Sequence, residues 1–195
     1  MVVQGHRLDA DGLAESAHAQ CLQAAGVGSF AVQLAHAFRA QVTAVASTPK
    51  LDDVRALGAD HVIDYTREDF LAGPRRYDTI IDIAGNRRLR DLRRALTPRG
   101  RLVLTGAETD GRCLGGIDRL LRAQLLSPFT RQHLGAFLAS EHADGLRDLT
   151  ALIDAGTLSP VVARVYPLAE TAAAVRHLLD GRVTGKLALT LPGGG

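Results

Sequence analysis

The 195 residues carry 46% hydrophobic and 23% charged side chains at a net charge of +2, an ordinary balance for a domain with its own core. Apolar runs are short and broken by Gly, Arg or Asp, which excludes a membrane-spanning helix, and so small a net charge makes no case for nucleic acid. Cys21 and Cys113 stand far apart without CxxC or Cys/His spacing, so neither a zinc site nor a disulfide framework is expected; with no basic-then-apolar leader, the expected location is the cytoplasm.

Taken in chain order, residues 1–20 show no sustained period and read as a poorly ordered lead-in. The stretch AGVGSFAVQLA then places Gly26 and Gly28 at the start of a helix over 27–39. Glycines at this spacing let the backbone turn tightly and bring bare N–H groups to a phosphate, aided by the partial positive charge of the helix. The buried strand 42–46 follows, ending in Ser47, Thr48 and Lys50. An NAD site would carry an acid there for the ribose 2′-OH; two hydroxyls and a cation suit a 2′-phosphate, so NADP is the expected cofactor. The pattern continues with helix 50–57 capped by Gly58, strand 61–64, a short helix at 67–71, strand 79–83 and helix 87–96. A turn at Pro98-Arg99-Gly100 leads to strand 101–105. Near-continuous Val/Ile/Leu strands alternating with helices predict a doubly wound, parallel α/β (Rossmann) sheet.

Beyond Gly106 come a glycine-bearing loop, helix 117–126, an edge strand 133–138 and helix 144–155. A small strand-helix-strand appendage closes the chain at 158–166, 170–179 and 186–191. The expected organisation is a lead-in at 1–20, a Rossmann domain at 21–157 and the C-terminal appendage at 158–195. The arginines 87, 88, 90, 93, 94, 99 and 101 form the densest charge patch, and Leu89, Leu92 and Leu96 give it a helical apolar stripe, as in a solvated helix face.

Other chemistries lack their residues. Tyr65, Tyr77 and Tyr166 are followed four positions on by Asp69, Ile81 and Glu170, so no Tyr/Lys pair of the short-chain dehydrogenase kind is present. G-x-S-x-G and P-loop motifs are absent, and the seven histidines show no H-x-x-x-H spacing. Asp78 and Asp82 share a strand face, with Asp82 read as strand-end structure.

The segments GVGSFAVQLA, ASTPK, LGADHVIDYTREDF, YDTIIDIAGN, LTPRGRLVLTG and YPLAETAAAVRHLLDGRVTGKLALTL together resemble the cofactor-binding half of the medium-chain dehydrogenase/reductase superfamily, in its zinc-independent quinone oxidoreductase (zeta-crystallin-like) branch. The resemblance implies Gly26, Val27 and Gly28 in a pyrophosphate turn, Ser47, Thr48 and Lys50 at the 2′-phosphate, and Tyr65 along the adenosine. Ala84, Gly85 and Asn86 would line the crevice at a strand end, Gly106 would lie nearer the nicotinamide, and Arg182 would reach back to the adenosine phosphate. Singly, Gly28 also suits close helix packing, Lys50 a surface, Tyr65 a half-buried aromatic and Arg182 a solvated cation; the joint spacing favours the cofactor reading for Gly26, Gly28, Ser47 and Lys50. The implied reaction is hydride transfer from NADPH to a quinone or enone, with no catalytic side chain and no metal required. A homodimer through the edge strand at 133–138 is implied as well.

Two departures accompany the likeness. Residues 19–25 stand where the family has an apolar first strand and a glycine-rich turn, so Gln23, Ala24 and Ala25 put bulk where a backbone would approach a pyrophosphate, and lowered affinity is expected. Residues 1–4 or 21–25 are the candidates for the vacant strand position. The family's N-terminal catalytic domain has no counterpart in these residues, so weak turnover by the chain alone is expected. Apolar surface at 158–165 and 187–191 would then seek a partner, and the alternative function is a non-catalytic nucleotide-binding or interaction module.

Overall fold

The computed structural model describes residues 18–22, 26–83, 87–105, 117–136, 142–181 and 183–191. Its first half runs β1 (His18–Leu22), α1 (Val27–Ala37), β2 (Gln41–Ala46), a 3-10 turn at Thr48–Lys50 continuing into α2 (Leu51–Ala56), β3 (His61–Asp64), β4 (Tyr77–Asp82), α3 (Leu89–Ala95) and β5 (Leu96–Leu104). The second half runs α4 (Ile117–Leu126), β6 (His133–Ala136), α5 (Ala143–Asp154), β7 (Val162–Pro167), α6 (Thr171–Leu179) and β8 (Lys186–Thr190).

Six strands form one parallel sheet in the order β3-β2-β1-β4-β5-β6, the doubly wound arrangement that the apolar runs predict. In β2 the five residues after Gln41 are all buried, as they must be when helices cover both sheet faces. Val32 of α1 and Val54 of α2 pack with Val42, Ala44 and Ala46 in one core. Tyr77, Ile80, Leu92, Leu102, Leu104 and Leu134 build the other. The remaining strands, β7 and β8, pair in parallel as a separate two-stranded sheet in which Tyr166 is buried while Val162, Val165 and Leu189 stay exposed.

Several local expectations are corrected. The central strand is present: His18–Leu22 pairs with β2 on one side and β4 on the other, so the lead-in assigned to 1–20 gives way to a strand at His18. No helix forms at 67–71, because side chains capture the backbone there: Thr66 N donates to Asp64 Oδ1 at 2.9 Å and Leu71 N to Asp69 Oδ1 at 3.1 Å. Pro98, Arg99 and Gly100 fall within the span of β5 but have no pairing partner on β4: the register runs from Tyr77 with Leu96 directly to Thr79 with Arg101, so the expected turn appears as a bulge and regular pairing resumes at Arg101. Gly100 permits that approach, since a Cβ there would lie 3.0 Å from the Tyr77 carbonyl oxygen. In the appendage, Leu158 is 2% exposed, so it belongs to the interior and not to the apolar surface expected at 158–165.

Candidate functional site

Parallel pairing carries the C-terminal ends of β1 to β4 to one edge of the sheet, and the strand order reverses between β1 and β4. Open α/β sheets hold their ligands at such a reversal. The chain enters α1 through Gly26 at φ 57° and ψ −101°, a conformation that L side chains rarely adopt. Buried Ser29 donates its hydroxyl to the Gly26 carbonyl at 2.8 Å and so fixes the turn, with Gly28 buried beside it and Val27 exposed. Gly26 supplies no side-chain cap and the first turn of α1 holds no acid, which suits the helix end to an external anion.

A second cluster forms where β2 and β3 end. Tyr65 N donates to Ala46 O at 3.1 Å, drawing the two strand ends together, and the Tyr65 ring is half exposed. Beside it the buried Asp64 carboxylate accepts Thr48 Oγ1 at 2.5 Å, Thr66 Oγ1 at 2.7 Å and Thr66 N at 2.9 Å. These bonds, that from Thr48 foremost, hold the Asp64 carboxyl below the usual aspartate range, and Arg67 at 3.6 Å adds to the effect. The single hydroxyl proton of Thr48 is thereby committed, so Thr48 braces the loop instead of donating to a phosphate. Ser47 and Lys50 remain. Ser47 is half-buried and starts the 3-10 turn, with Lys50 N donating to its carbonyl at 2.9 Å. Burial lowers the Lys50 ammonium below the usual lysine value, and Asp53 acts in the opposite sense.

The structure thus gathers Ser47, Thr48, Lys50 and Tyr65 in one place and sets Gly26, Val27 and Gly28 at the α1 start. Ala84, Gly85, Asn86, Gly106 and Arg182 lie outside the described residues, as do Gln23, Ala24 and Ala25. The flanks of the β4 crevice are described: Asp82 is fully buried, and Thr105 N donates to its carbonyl at 3.0 Å. Asp64 and Thr66 are functional positions outside the predicted site residues; their signal in the sequence is an Asp-x-Thr closing an apolar strand. Gln33 is another: its amide donates to Ser159 O at 3.0 Å and accepts from Ser159 N at 2.8 Å, clasping α1 to the C-terminal unit. Among the described residues no three His, Cys, Asp or Glu side chains converge to hold a metal ion.

Comparison with known proteins agrees with this frame. A family model described as zinc-binding dehydrogenase matches residues 57–189. The NADPH-dependent alkenal/one oxidoreductase of Arabidopsis thaliana chloroplasts is 34% identical over 84% of this chain and 38% of its own length. A polyketide synthase system protein for spectinabilin from Streptomyces orinoci is 35% identical over 87% of this chain, which spans 8% of that protein. The solved quinone oxidoreductase of Coxiella burnetii superposes with a TM-score of 0.70 at 27% identity, covering 89% of this chain and 52% of its own. The chain therefore spans about half, or less, of these relatives. On the sheet order, the family match over residues 57–189 and the shared fold, the chain belongs to the zinc-binding dehydrogenase family of the medium-chain dehydrogenase/reductase superfamily.

Proposed function

We propose that these residues are the NADP(H)-binding half of a zinc-independent reductase that transfers hydride to a quinone or an activated alkene. The observation that carries this reading is the meeting of the β2 and β3 ends, which sets Ser47 and Lys50 on a loop braced by Thr48 and Asp64. Bound NADPH would supply the hydride; the residues named here bind and orient it. The α1 N-terminus and the Gly26 turn receive the pyrophosphate, Lys50 and the Ser47 hydroxyl hold the 2′-phosphate, and Tyr65 lies along the adenosine. The names of the Arabidopsis and Coxiella relatives support the substrate class. Turnover of quinones by these residues alone is expected below about 1 per second. The outer strand β6 leaves a sheet edge that supports a homodimer, and monomeric elution at micromolar concentration would count against it.

Calorimetric titration tests the cofactor assignment. NADPH should bind and NADH bind more weakly, and Lys50→Met should lower NADPH affinity about tenfold while leaving NADH unchanged. Equal affinities for the two cofactors would overturn the Ser47/Lys50 assignment. A second reading, a non-catalytic interaction module, draws on the exposed Val165, Leu178, Leu179 and Leu189 of the C-terminal unit. A cooperative thermal melt with no binding of either dinucleotide would select it.

A further inference from the structure

A cation from the far end of the chain stands over the Gly26 turn. A methyl group built on Gly26 would lie 3.1 Å from Lys186 Nζ and 3.8 Å from its Cε, so the ammonium covers the face of the turn from which α1 begins. Among the described residues no carboxylate pairs with it. Its backbone is held firmly: Lys186 N donates to Val161 O at 2.8 Å, and Val183, Thr184 and Gly185 just before it are buried. The Gln33–Ser159 clasp fixes the same C-terminal unit to α1 itself. A flexible stem on a fixed backbone thus delivers a compact positive charge to a helix N-terminus that has no acid in its first turn.

Resting on the cofactor reading above, we infer that Lys186 is a pyrophosphate-binding residue, supplied by β8 to the turn at Gly26. The pyrophosphate carries two negative charges, and the helix end offers only partial ones, so a full cation within reach adds a charge-assisted contact. It also gives the C-terminal unit a role in holding cofactor, through the Lys186 side chain that reaches Gly26 at the start of α1. The stretch Gln23-Ala24-Ala25 offers less glycine than a close backbone approach to phosphate would use, which raises the share of binding left to a side-chain cation.

The test separates Lys186 from Lys50 by ligand. Wild type, Lys186→Met, Lys186→Arg and Lys50→Met are titrated with NADPH, NADH and adenosine 2′-monophosphate, which has the 2′-phosphate and no pyrophosphate. Lys186→Met should weaken NADPH and NADH alike, about tenfold each, leave adenosine 2′-monophosphate unchanged, and regain most affinity as Lys186→Arg. Lys50→Met should give the opposite pattern, weakening NADPH and adenosine 2′-monophosphate and sparing NADH. Because Lys186 is exposed, thermal melts of its variants should match wild type. Dinucleotide affinities unchanged in Lys186→Met, or an equal loss for adenosine 2′-monophosphate, would overturn the assignment while the cofactor reading stands. Failure of wild type to bind either dinucleotide would overturn the cofactor reading and this inference with it.

Discussion

Gly185 is the position where one added methyl group should cost most. Its φ is +97°, and a Cβ there would lie 2.4 Å from Val161 O, 2.7 Å from Val161 Cγ1 and 2.8 Å from Val161 Cβ. None of these atoms is the end of a flexible side chain, and the Val161 carbonyl is the one that accepts from Lys186 N. Gly185→Ala therefore combines backbone strain of about 1–2 kcal/mol with overpacking of about 1–3 kcal/mol, for an expected loss of about 2–5 kcal/mol. Gly156 and Gly181 provide the control, because their φ values are +70° and +68° and a Cβ at either meets nothing within 4 Å. Alanine at those positions should cost only the backbone share, about 1–2 kcal/mol. Urea unfolding of the three variants measures the difference, with hydrogen exchange at the Lys186 amide reporting whether the Val161 bond has opened. A Gly185→Ala loss no larger than that of Gly156→Ala would refute the close packing of β8 against Val161.

Two further outcomes follow from buried polar groups. The Asp64 carboxyl is held below its ordinary value in the folded chain, so its contribution is complete at neutral pH, above the unfolded-state value, and is lost as pH falls toward the folded-state one. The urea-midpoint gap between wild type and Asp64→Asn should stay constant from about pH 8 to 6 and narrow between about pH 5 and 3; an unchanged gap at the acid end would contradict the Thr48 and Thr66 bonds as its cause. Thr184 is 8% exposed and its hydroxyl has no hydrogen-bond partner among the described residues. Thr184→Val should therefore stabilise by about 1 kcal/mol and raise Tm by about 2–4 °C, and a lowered Tm would show that the hydroxyl is satisfied.

Local chemistry alone determined much of this protein. Continuous apolar runs marked β2, β3 and β4 as strands of a parallel sheet, and His61–Asp64 and Ile117–Leu126 begin and end where the sequence pattern places them. Gly26, Ser47 and Lys50 stood out because their residue types suit phosphate groups. Tertiary structure decided the rest, wherever a partner distant in sequence sets the outcome. The segment HAQCL carries no apolar run, yet it becomes the central strand because β2 and β4 offer it pairing on both sides. Pro98-Arg99-Gly100 has turn chemistry, and the fold keeps it as a bulge within β5, because β4 pairs with Leu96 before it and with Arg101 after it. The type of residue at 48 suggests a phosphate donor, while the folded chain spends that proton on Asp64, 16 positions away. Lys186 acquires meaning only when its side chain reaches Gly26, since charge and hydrogen bonding act through space and the sequence orders residues only along the chain.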